Sequence, residues 1–228
     1  MFEKTFPYGH SIETATHLIF FANKLLDLGH LKDLFPYRFL EVQQTHSDVL
    51  VTHGPTESSE KQIGDAHSHQ LHDIALLIKT ADCMPIFITN PESDHFLAIH
   101  AGWRGIENQI TIKAIKKTFS NFKKLNIYIG AYIHQTSFEV EQTVCDEILA
   151  AVTKQERPAC FFYNDKTKKF HIDLKLVLLH HLHSHFPNKT FEFTDLEINT
   201  FSDFNYHSYR RNKANSGRNF SFIVKKKD

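Results

Sequence analysis

The stretch from Ile78 to Gly105, IKTADCMPIFITNPESDHFLAIHAGWRG, alternates short apolar runs with polar turns. Short apolar runs bounded by turn residues are typical of buried β-strands. In and just before this stretch the runs predict three strands, Ile74–Lys79, Pro85–Thr89 and Phe96–Ile99. Antiparallel pairing of the second and third strands would bring Cys83 and His100 to the same end of a sheet. The stretch therefore predicts a thiol and an imidazole together at a strand boundary, which is the geometry of a functional site.

Gly102 and Gly105 flank the dipeptide Trp103-Arg104 directly after the third strand. Glycine permits a positive φ or the close approach of another group, while the indole supplies an apolar wall and the guanidinium a fork of donors. An isolated motif of this kind is more often a tight turn whose Trp fills the core. The neighbouring thiol and imidazole favour the alternative, a binding or catalytic site.

The composition is that of a globular protein. The 228 residues are 41% hydrophobic and include 21 Phe, which supplies enough apolar surface for a packed core. No stretch rich in Pro, Gly and Ser divides the chain, so we expect residues 1–228 to form a single domain.

Charge and cysteine content limit the kinds of partner and the cellular compartment that the sequence predicts. Lys and Arg together number 26, as do Asp and Glu, so no global field attracts nucleic acid or an anionic membrane surface. Three cysteines argue against a disulfide framework and fit a reducing compartment. The longest early apolar stretch, Leu18–Ala22, is too short for a signal peptide or a membrane span. We therefore expect a cytoplasmic protein that binds neither nucleic acid nor a membrane. The oligomeric state stays open, with a monomer as the default.

Apolar periodicity outside the central stretch predicts further helices and strands. Helical spacing predicts four helices: Ile12–Leu28, Gly105–Phe119, Phe138–Val152 and a segment that contains Leu174–Leu182. Strand patterns occur at Phe39–Gln43, paired with Asp48–Thr52 across a turn that carries His46, and at Leu125–Ile133, Phe191–Asn199 and Phe220–Lys225.

The polar segment His53–Asp73 is expected to be a solvated loop, in which only Asp65-Ala66 is placed near the site. Two histidine pairs have spacings that metal ligands use, His67 with His69 in this loop and His181 with His185 on the last predicted helix. The chain contains 17 histidines, so such spacings arise by chance. We therefore prefer the interpretation of both pairs as solvated surface residues.

His46, Cys83 and His100 together offer one thiolate and two imidazoles. Zinc uses such a three-ligand set when a fourth position is left to water or substrate, and its charge then activates water and attracts anions. The rival interpretation is metal-free, with Cys83 as a thiolate nucleophile activated by His100 or His46. Spacing alone does not separate the two.

Several short motifs occur in an order that resembles one known family. They are Gln44-x-His46, Asp65-Ala66, Thr80-Ala81-Asp82-Cys83-x-Pro85-Ile86, His100-Ala101-Gly102-Trp103-Arg104-Gly105, Glu139-Val140, Asp173-Leu174, and Ser208-Tyr209-Arg210-Arg211 through Gly217-Arg218. From about residue 39 to the C-terminus the chain is similar to the laccase-domain family. That family was long called multicopper polyphenol oxidase and is now described as purine nucleoside phosphorylase with adenosine deaminase activity. The motifs ADC and HAGWRG carry most of the specificity.

The resemblance implies an α+β (mixed α/β) fold, a single layered domain with mixed β-sheets flanked by helices. It implies a zinc (Zn²⁺) or copper (Cu²⁺) site at the residues that match as His46, Cys83 and His100, which the residue types also single out. The implied reactions are phosphorolysis of adenosine, inosine and 5′-methylthioadenosine to free base and ribose 1-phosphate, and deamination of adenosine. Purine nucleosides and phosphate are thus the implied partners.

The expected catalytic residues are His46, Cys83, His100 and Arg104. Substrate and phosphate binding is expected at Gln44, Asp82, Trp103, Arg210 and Arg211. No glycine-rich phosphate loop occurs in the chain, so guanidinium groups must hold the phosphate, and one of the last two arginines should point into the pocket. From residue types alone, that adjacent pair serves equally well as part of a surface loop.

Three other functions stay open. Related proteins have been assigned to editing of peptidoglycan precursors, for which Cys83 would serve as a hydrolytic nucleophile. A copper-dependent polyphenol oxidase is a weaker alternative, because one His-Cys-His set cannot supply the several copper centres that four-electron reduction of oxygen needs. The third is a binding or scaffold protein without activity.

Overall fold

Two six-stranded mixed sheets and one three-stranded sheet organise the chain in this computed structural model, which describes residues 1–54 and 61–227. The strands are β1 (Phe2–Phe6), β2 (Gly9–Glu13), β3 (His17–Ala22), β4 (Arg38–Glu41), β5 (Leu50–Thr52), β6 (Ala66–His69), β7 (Ile74–Thr80), β8 (Met84–Thr89), β9 (Phe96–Ala101), β10 (Lys124–Ile129), β11 (Glu139–Val140), β12 (Phe161–Asn164), β13 (Lys169–Ile172), β14 (Thr190–Asp195) and β15 (Asn219–Lys225). The helices are α1 (Leu28–Leu34), α2 (Trp103–Glu107), α3 (Ile110–Thr118), α4 (Gln142–Leu149), α5 (Leu174–His185) and α6 (Tyr209–Asn212).

The two large sheets pack face to face. The first has the strand order β1-β2-β3-β15-β7-β4, and the second has the order β14-β10-β8-β9-β6-β5. Their inner faces share an apolar core in which the ring centroids of Phe21 and Phe87 lie 5.4 Å apart. Helix α1 covers the outer face of the first sheet through Leu31, and helices α2 to α5 cover the second sheet. These layers confirm the expected α+β fold with mixed sheets flanked by helices.

The central stretch forms β7, β8 and β9 and connects the two large sheets. Strand β7 lies in the first sheet, whereas β8 and β9 pair antiparallel in the second, with Pro85 opposite His100. The chain crosses between the sheets at residues 81–83. The expected antiparallel return is confirmed, and the crossing places Cys83 beside the end of β9 that carries His100.

The predicted helix over Ile12–Leu28 is wrong, because most of this segment forms the hairpin of β2 and β3. Ile19 and Phe21 pack between the large sheets, while Phe20 packs on the α1 side. A strand buried on both faces shows a continuous apolar run without alternation, and such a run also matches helical spacing. Antiparallel pairing with β15 therefore decides the structure of this segment.

Strands β4 and β5 are not partners, contrary to the prediction for Phe39–Gln43 and Asp48–Thr52. Strand β4 runs parallel to β7 in the first sheet, and β5 runs parallel to β6 in the second. The turn between them is drawn inward by Asp65, whose carboxylate accepts hydrogen bonds from three successive main-chain N–H groups, Thr45–Ser47. A contact distant in the sequence thus overrides the local hairpin pattern.

The segment His53–Asp73 is only partly a loop. Residues 55–60 lie outside the described residues, so the prediction for them stays a prediction. Strand β6 carries His67 and His69, both buried, and His67 Nδ1 lies 3.0 Å from His53 Nε2. The prediction of a solvated loop is wrong for β6, because pairing with β5 and β9 and contacts between the imidazoles allow these polar side chains to be buried.

The predicted helices after the central stretch are present with two changes. The segment Gly105–Phe119 is divided into α2 and α3 by Gln109, whose φ is 57°. The segment Phe138–Val152 begins with the two-residue strand β11, so α4 starts only at Gln142. Both changes are short interruptions that apolar spacing does not reveal.

Helix α5 is confirmed, and the carboxylate of its N-cap, Asp173, accepts a hydrogen bond from Leu176 N at 2.9 Å. On this helix His185 is exposed, as expected, whereas His181 is buried in contradiction to the solvated interpretation. Within residues 1–54 and 61–227, no helix combines the length and apolar character that crossing a bilayer requires.

Candidate active site

His46, Cys83 and His100 meet beside the ends of β4, β8 and β9. Their potential ligand atoms all lie within 4.8 Å of one another. Cys83 Sγ is 3.8 Å from His46 Nε2, and the rings of His46 and His100 meet edge to face with centroids 4.9 Å apart. Among the described residues, this is the only group of three or more His, Cys, Asp and Glu side chains placed to share an ion. The structure brings together the three residues that the sequence singled out.

The backbone turn at His46 has a φ of 60°. A positive φ is uncommon for a residue other than glycine, although His is among the side chains found there more often. The conformation is stabilised by Asp65, whose Oδ1 accepts the main-chain N–H of His46 at 3.0 Å. The imidazole therefore projects from a turn that the rest of the fold holds in place.

Asp65 is fully buried and contacts the side chain of His100 and the backbone of His46. Its Oδ1 accepts a hydrogen bond from His100 Nδ1 at 2.7 Å, and its Oδ2 accepts bonds from Ser47 N at 2.6 Å and Ser47 Oγ at 2.7 Å. Burial raises the pKa of this carboxyl, but the hydrogen bonds from His100 and Ser47 together lower the pKa by more than burial raises it. The pKa therefore lies well below its usual range. The sequence placed Asp65 near the site and gave it no role, and the structure shows that it organises the site.

Gly102 is the point of closest approach between the backbone and the site. A Cβ at this position would lie 2.9 Å from Cys83 Sγ and 3.1 Å from His46 Cδ2. Carbon atoms do not sit that close to a sulfur without displacing it, so any side chain here would disturb the group. The requirement for glycine at this position follows from close approach, one of the two reasons that the sequence left open.

Cys83 and His100 influence each other's protonation. Burial raises the pKa of the Cys83 thiol, but the charge of His100 and hydrogen bonds from His100 and His46 lower it to about 6. Burial lowers the pKa of His100, yet Cys83 and Asp65 raise it to about 9. Without a metal, each of the two side chains therefore favours the charged form of the other.

The group also fits a zinc or copper ion. Bonds of about 2.0 Å to nitrogen and about 2.3 Å to sulfur at a tetrahedral angle separate the ligand atoms by roughly 3.6 Å. The distance from His46 Nε2 to Cys83 Sγ, 3.8 Å, is close to that value. His100 uses Nδ1 for Asp65, which leaves Nε2 for an ion. A carboxylate behind a ligating histidine fixes its tautomer and strengthens binding.

The three side chains open into a cavity of about 980 Å³. This is the upper end of the range for small-molecule sites, roughly 300–1,000 Å³. The apolar part of the wall includes Trp103, Ile133, Phe138, Val140, Val144, Leu174 and Tyr209. Tyr209 is 53% exposed and therefore lies where the cavity meets solvent. Apolar walls around one polar reactive corner suit a ligand with a planar ring and a polar substituent.

Gln44 and Asp82 line the cavity, but their side chains serve the protein itself. The amide of Gln44 donates to Lys79 O at 2.8 Å and accepts from Lys79 N at 2.9 Å. Asp82 accepts a hydrogen bond from Thr200 Oγ1 at 2.7 Å and one from the main-chain N–H of Arg210 at 2.5 Å. Both residues thus shape the wall by fixing neighbouring backbone.

The three candidate arginines differ in their surroundings. Arg104 lines the cavity with its guanidinium 4.2 Å from the centroid of the Trp103 ring, and it has no hydrogen-bond partner among the described residues. Arg210 also lines the cavity, and its Nη1 donates to Glu139 O at 2.7 Å. Arg211 is not part of the wall. Its guanidinium donates to main-chain carbonyls, those of Thr200, Phe201 and Tyr206.

Three lysines on the cavity wall, Lys61, Lys79 and Lys213, were missed in the sequence, and the first two share one carboxylate. Lys61 and Lys79 line the wall, and their ammonium groups lie 2.8 and 2.7 Å from the carboxylate of Glu41. The Glu41 side chain is 8% exposed, and although burial raises its pKa, the two lysines lower it to about 2. The pairing joins segments far apart in the chain, so no sequence pattern signals it.

Fold and site together define a class of layered α/β proteins with a Cys-His group at strand ends. The hypothetical protein YfiH from Bacillus licheniformis has this fold, with a TM-score of 0.84 at 19% identity over 97% of this chain and 98% of that one. A protein from Neisseria meningitidis has a TM-score of 0.82 at 19% identity, with 99% of both chains covered. At this identity the likeness concerns the fold alone.

The family model described as multi-copper polyphenol oxidoreductase laccase matches residues 28–226. The chain belongs to this family, which confirms the resemblance found in the sequence. A purine nucleoside phosphorylase from Clostridium acetobutylicum is 26% identical over 207 residues, covering 88% of this chain and 83% of that protein. One from Staphylococcus epidermidis is 29% identical over 157 residues, covering 67% of this chain and 57% of that protein.

Proposed function

We propose that this protein is a purine nucleoside phosphorylase, an enzyme that splits nucleosides with inorganic phosphate. The observation that carries the proposal is the cavity of about 980 Å³, onto which the His46-Cys83-His100 group, the unpaired Arg104 and an aromatic wall all open. An aromatic wall stacks well against a purine ring, and a guanidinium beside it binds phosphate. The names of the Clostridium and Staphylococcus relatives support the same activity.

In phosphorolysis an oxygen of phosphate attacks C1′ of the nucleoside. A C1′–O bond forms, the C1′–N9 bond breaks, and the purine leaves with a proton, which gives free base and ribose 1-phosphate. Arg104 binds and orients the phosphate in this scheme, and stacking on Trp103 limits the directions that its guanidinium can take. A metal ion held by the three-residue group would supply Lewis acidity and positive charge beside the phosphate.

The resident ion in this proposal is zinc, with copper able to replace it, because one thiolate and two imidazoles suit both metals. Purified protein should contain about one zinc per chain, and Cys83→Ala should lose it. Cys160→Ala is the matched control, since Cys160 is buried away from the site and burial raises its pKa to about 11. Full metal content in Cys83→Ala would contradict the ligand assignment.

We infer that adenosine, inosine and 5′-methylthioadenosine are substrates, and that adenosine is also deaminated in the same cavity. The volume of the cavity accommodates a nucleoside together with phosphate, which supports a shared site. A shared site requires that inosine inhibits adenosine deamination competitively. Deaminase activity that separates from the protein during purification, or that inosine leaves untouched, would exclude this part of the proposal.

The decisive experiment incubates the purified full chain with a panel of nucleosides, with and without phosphate. Release of free base and ribose 1-phosphate only in the presence of phosphate is the expected result. Base release that is independent of phosphate would indicate a hydrolase instead. No release under either condition would remove the proposal and favour a binding or scaffold protein.

A cysteine-dependent hydrolase that edits peptidoglycan precursors is the second candidate. Its support is geometric, because Cys83 Sγ lies 3.8 Å from His46 Nε2 and the thiol is partly exposed to the cavity. This function predicts release of serine from a precursor by metal-free protein. The polyphenol oxidase alternative is weaker, because the described residues form one metal-binding group where several copper centres are needed.

A further inference from the structure

Lys213 lies on the wall of the same cavity, just after the arginine pair. Its backbone has a φ of 52° and a ψ of −133°. Glycine enters this region freely, whereas residues with a side chain adopt it only under strain. Strained positions of this kind concentrate at ligand sites, so the presence of a lysine here needs a cause.

The turn itself does not supply that cause. Lys213 N donates to Tyr209 O and thereby ends α6, and Lys213 O accepts a hydrogen bond from Ser216 N at 3.1 Å. Both bonds use main-chain atoms only. A glycine would make the same turn with the same bonds and without strain. The lysine side chain therefore has a role apart from the fold of this segment.

The lysine and arginine side chains on the cavity wall fall into two groups. Four are occupied by protein acceptors: Lys61 and Lys79 by Glu41, Arg210 by a main-chain carbonyl, and Arg218 by the carbonyls of Ser216 and Gly217. The other two are Arg104 and Lys213, whose side chains have no hydrogen bond or ion pair within the described part of the chain. Free positive charge on the wall is thus confined to these two residues.

The carboxylates on the wall do not balance this charge. Asp82 is bonded to Thr200 and to the main chain of Arg210, and Glu141 contacts Lys169 Nζ at 3.0 Å. Both acids are therefore already paired. The two free cations face a cavity without a free acid, which is a field that attracts an oxyanion.

We propose that Lys213 binds a phosphoryl oxyanion in this cavity together with Arg104. A guanidinium supplies a planar fork and an ammonium supplies a mobile point charge, and both are used for phosphate. The inference rests on the proposed function where it takes the anion to be inorganic phosphate. The same chemistry recognises a phosphate ester carried by the nucleoside, so the test includes both sources.

The informative variants are Lys213→Gly and Lys213→Arg. Lys213→Gly removes the ammonium and the strain together, and it should weaken phosphate binding by roughly three- to tenfold, the effect of one exposed charge-assisted contact. Its melting temperature should stay equal to that of the wild type or rise by roughly 2 °C, because the turn is relieved. Lys213→Arg keeps the positive charge and should retain binding.

Lys168→Gly is the matched control. Lys168 also has a positive φ, 58°, but it lies in the turn between β12 and β13 and is not on the cavity wall. Its side chain is 71% exposed, and its nearest carboxylate, that of Asp165, is 3.8 Å away. This variant also replaces a lysine at a positive φ with glycine, and phosphate binding should not change.

The measurement is titration calorimetry of the full chain with inorganic phosphate and, separately, with adenosine 5′-monophosphate. Weaker binding of either ligand in Lys213→Gly, restored in Lys213→Arg and unchanged in Lys168→Gly, supports the inference and identifies the source of the phosphoryl group. Equal binding of both ligands in the wild type and Lys213→Gly overturns it. Equal loss in Lys213→Gly and Lys213→Arg, or no binding by the wild type, also overturns it.

Activity measurements on the same samples separate this inference from the proposed function. Phosphate binding that depends on Lys213, in a protein without phosphorolysis, would leave the inference standing and remove the proposed function. The opposite outcome is a Lys213→Gly protein that binds phosphate as tightly as the wild type and still releases base in a phosphate-dependent reaction. That outcome would overturn the inference and leave the proposed function standing.

Discussion

Asp65 Oδ1 accepts the Nδ1 proton of His100 at 2.7 Å and, at 3.0 Å, the main-chain N–H of His46. One buried carboxylate therefore positions two of the three side chains in the candidate metal site. The third, Cys83, reaches the site through the crossing between the two sheets. The site is thus assembled by long-range contacts, and it should respond to changes at residues that bind no ligand.

Asp65→Asn should lower metal affinity by roughly 10–100-fold, the usual effect of removing the carboxylate behind a ligating histidine. The amide of Asn keeps one acceptor oxygen, but its NH2 group would face the N–H groups of the turn around Ser47. Those groups are donors as well, so their hydrogen bonds would be lost. Chelator competition on purified protein measures the affinity. Asp48→Asn is the control, since Asp48 pairs at the surface with Lys113. Equal affinity in the two variants would show that Asp65 has no influence on the metal.

Gly102→Ala should lose roughly tenfold or more in metal affinity, because about 1.4 kcal/mol of strain corresponds to a factor of ten. The added methyl group would lie 2.9 Å from Cys83 Sγ and must push the sulfur aside. Gly54→Ala is the comparison, since a Cβ there meets no described atom within 4 Å. A Gly102→Ala protein with wild-type metal content and affinity would contradict the close approach.

Arg104→Ala and Arg211→Ala should have opposite consequences. Arg104 has no protein acceptor among the described residues, so its loss should raise the KM for phosphate roughly ten- to a hundredfold and leave the melting temperature unchanged. Arg211 binds three main-chain carbonyls, so its loss should cost roughly 2–3 kcal/mol of stability. Steady-state kinetics at varied phosphate and thermal unfolding test the pair. If both variants lost phosphorolysis and deamination in equal proportion, both arginines would have a structural role and neither would bind phosphate.

Acid should destabilise the protein between about pH 6.5 and 4, partly through His181. Burial lowers the pKa of His181 to about 4, so the folded protein keeps it neutral while the unfolded chain takes up a proton below its ordinary value of 6.5. Stability is therefore full above pH 6.5 and falls as the pH drops, by up to about 1.4 kcal/mol per pH unit for each such histidine.

His181→Leu should reduce this slope in urea unfolding measured at pH 7, 6 and 5. The exposed His183 provides the control variant His183→Gln, whose slope should match the wild type. An unchanged slope in His181→Leu would mean that His181 is not the group that titrates.

The central strands and the proximity of Cys83 to His100 could be predicted from the sequence because both depend on local signals. Apolar runs and turn residues mark β7, β8 and β9, and their antiparallel return fixes Cys83 near His100. The role of Asp65 could not be predicted in the same way. Its acceptor bonds reach back to Thr45 and forward to His100, and neither spacing has a recognisable period.

Two of the errors come from strands that are buried on both faces. The run around Phe20 and Phe21 packs against two different cores, so it shows no alternation and its spacing also matches a helix. His67 and His69 are polar residues inside a strand, and composition alone suggested a loop. The strain at Lys213 comes from its backbone conformation, which has a positive φ. A sequence indicates a positive φ only where glycine occupies the position, so a lysine gives no sign of it.

The place of β15 in the first sheet has a consequence for how the chain folds as it leaves the ribosome. Residues 219–225 lie between β3 and β7, so both strands keep an unpaired apolar edge until that last strand has been synthesised. The early hairpin cannot complete its sheet until residues 219–225 have been synthesised, and folding is dominated by contacts distant in the sequence. Nascent chains arrested before residue 219 should therefore depend on chaperones, and the candidate metal site should form only after translation has passed β15.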